Sequence, residues 1–510
     1  MKKSKIAIIA VIALAVATVG GFMYIKQIAP SGEEWISYNN QEVINLIDNQ
    51  LKGIDIDKIS KEKERYIIEK SIDEIQSYVK SGKITYSDIT AIYLNRIKDL
   101  DQKEHGLNSV VTVNPDAIEE ARNADKASSD KKVGVFGIPV LLKDNINTAN
   151  ITTSSGAEAF TNFIPSKDAE LVENLRENGA VILGKNNLSE FANYMSTKMP
   201  SGYSGSKGQT VNPFGPLKIS PSGSSSGSAV SVTANLAPIS IGTETSSSII
   251  APSYINSVVG FKPSRTSVSS KGIMPLVKKF DTPGPISKTV EDAVIGYNSM
   301  SNNQINIDKN PDYLKGKTIG LLSYEYDNQE MLDKMKSKLK DIGVNLVEIN
   351  IDETGTDLFG ILDISFKKDF EEFADKYNLP IKKLNELIEY NKKDLKRRAK
   401  YGQDHLEASA SIKDIDQNVV DNAIKNDTKK LDEAFKKYNL DAIVCLNNSG
   451  IGLSAIAGYP ELTIPFGKNT KNEPQGVTFI TKNGEDKKIL DIGYSFENQT
   501  HGRINPLSNK

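Results

Sequence analysis

SPSGSSSGSAVS fills residues 220–231, and from it the chain passes through SAVSVTANLAPISIGTE (228–244) into IGTETSSSIIAPS (241–253). A run so rich in serine and glycine reads, taken alone, as a flexible linker. Its setting argues otherwise. Pro213-Phe214 and Pro221 bound it on one side, and on the other residues 228–244 read as a helix running into an apolar strand. A linker joins domains, whereas this block sits inside a series of strands and helices. GIPVLLKDNINT (137–148) is a short apolar strand that delivers Lys143 to a polar turn. DAELVENLRENGAVILGKNNLSEFANY (168–194) reads as a helix, a stop at Gly179 and a strand, with Asp168 as a candidate cap. Strand and helix alternating in this way predict an α/β fold, a sheet covered by helices on both faces. Sites in such sheets lie where strands end and loops begin. Lys143 and the Ser248 segment each follow an apolar strand-like run, and Ser224 lies 248 − 224 = 24 residues before Ser248.

Composition narrows the chemistry. The chain has three histidines, His105, His405 and His501, none near the serine-rich blocks in sequence. A Ser-His-Asp triad would have to be assembled from distant segments. A single cysteine, Cys445, excludes a Cys-rich zinc site and a disulfide framework. It lies in the apolar run DAIVCL (441–446), where a buried packing role is expected. A nucleophilic serine here needs another base. A buried lysine qualifies, because desolvation disfavours its charged form and lowers its pKa. At 510 residues, 25% charged and 38% apolar, the chain suits a large folded body. Its 63 basic and 65 acidic residues leave a net charge of −2, which makes no electrostatic case for nucleic acid.

The ends and the middle are less chemical. Lys2, Lys3 and Lys5 precede the apolar run IAIIAVIALAVATVGGFMYI (6–25), which reads as a signal peptide or an N-terminal membrane anchor over residues 1–27. Positive-inside logic puts the rest of the chain outside the cytoplasmic membrane, anchored or secreted. Residues 28–69 are expected to be an extra helical segment. Residues 69–101 predict two amphipathic helices joined at SGKIT (81–85), the first ending at Ser81-Gly82 and the second capped by Thr85 or Ser87. Residues 316–351 read as strand–helix–strand, and 363–410 as mostly helical. The charge run KKDLKRRAK (392–400) reads as a solvated helix face.

Together, the blocks around Lys143, Ser224 and Ser248 resemble the amidase signature family, hydrolases that cut carbon–nitrogen amide bonds with a Ser–(cis-Ser)–Lys triad. SFKKDFEEF, LIEYN and YGQDHLEAS in the middle region resemble its peptide-amidase branch, and SGIGLSAIAGYPELTIPFG (449–467) resembles its C-terminal segment. The likeness implies a catalytic domain over 70–505 with a mixed, twisted central sheet, within which 300–445 is a variable substrate-shaping region. It implies no metal or cofactor, and a small-molecule amide or short peptide as substrate. It further implies that Ser248 attacks the carbonyl and forms an acyl-enzyme, that Ser224 follows a cis bond from Gly223 and relays a proton, and that Lys143 is the general base. The backbone N–H groups of Thr245, Ser246, Ser247 and Ser248 would form the oxyanion hole, with Ser225 in support. Asp144 and Asn145 are expected to fix the turn after Lys143, with Asp144 holding the lysine pKa up. Asn447, Asn448 and Ile456 are candidates for the substrate pocket. The chain departs from the family pattern at four glycines, where it has Ser222, Ser226, Ser246 and Ser247, and at an arginine, where it has Ile250. Serine takes positive φ only at a cost. A catalytically weak or inactive descendant acting as a binding protein is therefore the alternative reading. An amidotransferase subunit is disfavoured by the export segment.

Overall fold

The computed structural model describes residues 32–128, 132–413 and 417–507. The expected signal or anchor segment, 1–27, lies outside the described residues. Among those described, no helix is long and apolar enough to cross a membrane.

The strands in chain order are β1 (Val110–Val113), β2 (Pro139–Lys143), β3 (Val181–Asn186), β4 (Tyr203–Ser204), β5 (Gly208–Gln209), β6 (Ile239–Glu244), β7 (Val259–Lys262), β8 (Thr282–Ser287), β9 (Thr318–Leu321), β10 (Asn345–Glu348), β11 (Ala442–Leu446), β12 (Glu461–Lys468) and β13 (Pro474–Ile480). Eleven of them form one sheet in the order β1-β3-β2-β6-β8-β7-β12-β13-β11-β9-β10. β3, β2 and β6 run parallel, as do β11, β9 and β10. The strands between β6 and β11 pair antiparallel. The sheet is thus mixed, as expected. β2 and β6 are buried along their whole length, the pattern of strands covered on both faces. β7 shows the two layers directly. Phe261 meets Tyr297 of the Val290–Met300 helix at 5.8 Å, while its neighbour Gly260 lies against Ser253 of the Ile250–Ile255 helix. Adjacent strand residues face opposite ways, so these two helices cover opposite faces.

Local signals in the first 130 residues hold up in part. Ser71 and Thr85 each close a capping box, with Glu74 and Asp88, at the starts of Ile72–Lys80 and Tyr86–Arg96. Two helices, Asn40–Leu51 and Ile56–Lys63, precede them. Residues 32–39 are not helical. They run extended beside β5, with Ser37 bridged to Gly208 and Gln209 N–H donating to Ile36 O at 2.8 Å. Asp168 does not cap Glu170–Glu177. Its carboxylate instead accepts from Ala149 N–H and from Arg176. The run 392–400 is only partly solvated, because Arg398 pairs with Glu158 at 2.7 Å and lies over the Tyr390 ring, and Arg397 lies over Tyr38.

Candidate active site

Lys143 is the last residue of β2 and Glu244 the last of β6. The two strands are parallel neighbours, with Leu142 opposite Ile241. Their carboxyl ends therefore open on the same side, and the loop after β6 carries Thr245–Ser248. Between β3 and β6 the chain makes a buried turn through Gly223–Ser224, whose peptide bond is cis, and then enters the Ser226–Thr233 helix. Gly223 fits there because a Cβ would stand 2.4 Å from Ser189 Oγ. This geometry brings Lys143, Ser224 and Ser248 into one site.

Lys143 Nζ is fully buried, 2.8 Å from Ser224 Oγ, 3.0 Å from Thr243 O and 2.9 Å from Thr243 Oγ1. Burial pulls its pKa down to about 7, against the opposing pull of Asp281 and Glu244. A neutral amine has two N–H groups and one lone pair. Thr243 supplies two acceptors, which leaves the lone pair for the Ser224 hydroxyl. Thr243 was not singled out from the sequence, although its place at the end of an apolar strand, two residues before the serine loop, is the signal that marks it.

Ser225 ties the pieces together. Its N–H donates to Ser248 O at 3.2 Å, its hydroxyl donates to Thr243 O at 3.1 Å, and it accepts from Thr243 N–H at 3.3 Å. Ser248 itself is 7% exposed, and no hydrogen bond joins its hydroxyl to Ser224 among the described residues. None of the described residues accepts from the N–H groups of Thr245, Ser246, Ser247 or Ser248, so all four donors stand free at the head of this loop. The loop is braced from both ends. Thr245 Oγ1 donates to Asp281 at 2.5 Å, and Glu244 accepts from the N–H groups of Ile249 and Ile250 at 2.6 and 3.0 Å. Two of the serines that replace glycine adopt positive φ, Ser222 at 57° and Ser247 at 68°. That shape costs an L-residue about 1–2 kcal/mol. Asn448 Nδ2 donates to Ser247 Oγ at 2.8 Å and holds it there.

Asp144 does not act on Lys143 as expected. Successive strand residues point to opposite faces, and Asp144 turns away to accept from the Ser154 N–H and hydroxyl, 3.9 Å from Lys185. Burial pushes Asp144 up to about 6 and pulls Lys185 down to about 8. Asn145 does join the site, donating to Thr243 Oγ1 at 3.0 Å. The acidic groups that hold the Lys143 pKa up are Asp281 and Glu244 instead, and Asp281 immediately precedes β8, far along the chain.

Beside the site lies a cavity of about 210 Å³, lined among others by Ser222, Asn447, Asn448, Tyr254, Tyr326 and Asp327. Two of the three pocket candidates, Asn447 and Asn448, are there. Ile456 is not, being buried in the apolar cluster around Phe366 and Phe370. The 358–411 helices contribute none of the lining; residues 326–328 and 469–475 do.

The family profile described as Amidase matches residues 88–447. The chain belongs to the amidase family. An amidase family protein from Bacillus anthracis superposes with a TM-score of 0.89 at 41% identity, over 93% of this chain and 99% of that one. The peptide amidase of Stenotrophomonas maltophilia superposes with a TM-score of 0.80 at 32% identity, over 87% and 99%. A probable amidase of Arabidopsis thaliana is 32% identical over 85% of this chain and 90% of its own length. Other curated relatives are A subunits of glutamyl-tRNA(Gln) amidotransferases. The protein is an amide-hydrolysing enzyme of the amidase signature type.

Proposed function

We propose that this amidase cleaves peptide amides or small acyl amides through an acyl-enzyme on Ser248. Ser248 Oγ attacks the amide carbonyl. Its proton passes to Ser224 Oγ as the Ser224 proton passes to the Lys143 lone pair. The tetrahedral oxyanion takes hydrogen bonds from the free N–H groups of Thr245–Ser248. One such donor is typically worth about 2.7–4 kcal/mol. Collapse breaks the C–N bond, and Lys143 returns the proton through Ser224 to the leaving amine. Water, activated by the same relay, then releases the acid. The observation that carries this reading is a fully buried amine 2.8 Å from Ser224 Oγ, with its pKa brought near 7. The polar lining of the adjoining cavity favours a polar, peptide-like substrate over a long acyl chain.

The binding-only alternative draws on one observation, the left-handed backbone of Ser247 inside the oxyanion loop. A serine-directed fluorophosphonate separates the two. Label on Ser248 of the folded protein, lost in Ser248→Ala, supports the enzyme; a folded protein that takes no label supports the binding-only reading. The reading also takes the chain as exported and membrane-anchored or secreted, from the basic and apolar residues of 1–27. Cell fractionation that finds the protein wholly in the cytosol would remove that part.

A further inference from the structure

Behind the Ser248 loop lies a second group of ionisable side chains that the proposed chemistry does not use. Glu461 opens β12 and is fully buried, paired across the sheet with Lys262 of β7. Its carboxyl lies against that of Glu244, the residue that holds the N–H groups of Ile249 and Ile250. Taken as carboxylates, the two present buried oxygens with no donor: both of Glu461 and Oε1 of Glu244. The surrounding groups supply at most one, the Ser454 hydroxyl, which lies within reach of Glu461. Lys262 Nζ is 3.8 Å from Glu461 and donates to Tyr459 O. The Ser454 hydroxyl donates to Ile451 O at 2.9 Å. Cys445, facing from β11, is a buried thiol whose pKa burial raises. Ile250 belongs to an apolar cluster with Leu453, Ala457 and Tyr459. The Lys143 amine, also nearby, is held at Ser224 and Thr243.

One lysine thus faces two carboxyls with every other neighbour neutral. Full ionisation would bury an unbalanced negative charge and set two anions against each other, which like-charge pairs in other proteins avoid by keeping a proton. We propose that Glu461 and Glu244 share one proton, with Glu461 as the donor, and that this acid–carboxylate pair is a positioning device that fixes the Ile249 and Ile250 N–H groups directly behind the nucleophile. The proton supplies the missing donor to Glu244 Oε1, leaves Oε2 free to accept both N–H groups, and makes the Lys262–Glu244–Glu461 group neutral. Burial also raises the Glu461 pKa well above the ordinary carboxyl range, in agreement.

The positioning half rests on Ser248 being the nucleophile; the shared proton does not. The test uses the full chain, with infrared difference spectra for the proton and fluorophosphonate labelling of Ser248 for the loop. The wild type minus Glu461→Gln spectrum at neutral pH should contain a protonated-carboxyl carbonyl band. Glu461→Leu should label about tenfold more slowly, the loss of one hydrogen bond to a charged group, and Glu461→Gln, whose amide can still donate to Glu244, should recover most of that rate. Wild-type labelling should also fall at alkaline pH as the pair loses its proton, a fall that Glu461→Gln lacks. If Glu461→Leu does not fold, this pH comparison decides. A difference spectrum without the band, Glu461→Leu labelling like the wild type, or the same alkaline fall in Glu461→Gln would each overturn the proposal. A wild type that shows the band but takes no label would sink the nucleophile assignment alone.

Discussion

A lysine can serve as a base near neutral pH only if its ammonium is made costly, and at Lys143 the cost comes from complete burial. Two acidic side chains work against it, Asp281, itself pushed up to about 7 by burial, and Glu244, so the pKa near 7 is a balance. The sign of each change follows. The base must be neutral, so activity should rise as pH climbs through about 7. Asp281→Asn removes a negative charge that favours the ammonium, so the acid limb of kcat/KM should move to lower pH. A profile that stays put or moves up would contradict this. Lys143→Met should cut kcat/KM by about 10²–10⁴-fold, the usual worth of a general base. It should also stabilise the fold at low pH. The unfolded lysine keeps its proton up to its ordinary pKa of 10.5, whereas the folded one gives it up near 7. The wild-type penalty is therefore full below pH 7 and disappears as pH rises toward 10.5. Melting temperatures of the two proteins across this range should converge with rising pH.

At the level of strands and turns, the site depends on close backbone approach as much as on side chains. A Cβ on Gly223 would stand 2.4 Å from Ser189 Oγ, and Ser189 N–H donates to Ser224 O at 3.1 Å. Gly223→Ala should therefore push the Ser224 turn away from Lys143. The expected outcome is a loss of about 1–3 kcal/mol in unfolding free energy, typical of overpacking, together with a labelling rate on Ser248 that falls further than the stability does. Equal thermal stability and equal labelling would mean that the turn tolerates the methyl group. The capping boxes at Ser71 and Thr85 are simpler devices. Each satisfies N–H groups at a helix start far from the site, and Ser71→Ala should cost about 1 kcal/mol in chemical denaturation without changing activity.

Across the molecule as a whole, the fold built on one eleven-stranded sheet brings together residues that lie far apart in the chain, from Lys143 through Ser248 to Asp281 and Asn448. The apolar cluster behind them encloses Cys445, which is fully buried and uncharged. Thiol reagents should leave the native enzyme unmodified and active, and should react only after unfolding. Inactivation by such a reagent in the folded state would show that the cluster opens.

Much of this was readable in the letters of the chain. Apolar runs buried on both faces announced β2 and β6, and serine-rich blocks at strand ends announced the loops, because period and composition are local properties. So were the helix cap at Thr85 and the buried setting of Cys445; the cap at Ser71 was not singled out. The reading failed where a side chain had a choice of partners. Asp168 could have capped a helix but found Ala149 and Arg176, and Asp144 could have faced Lys143 but turned to Ser154 and Lys185. Asp281 and the Glu244–Glu461 pair were invisible for the same reason. Their meaning depends on strand register and on which face of the sheet each residue meets, and those are set by packing between segments hundreds of residues apart.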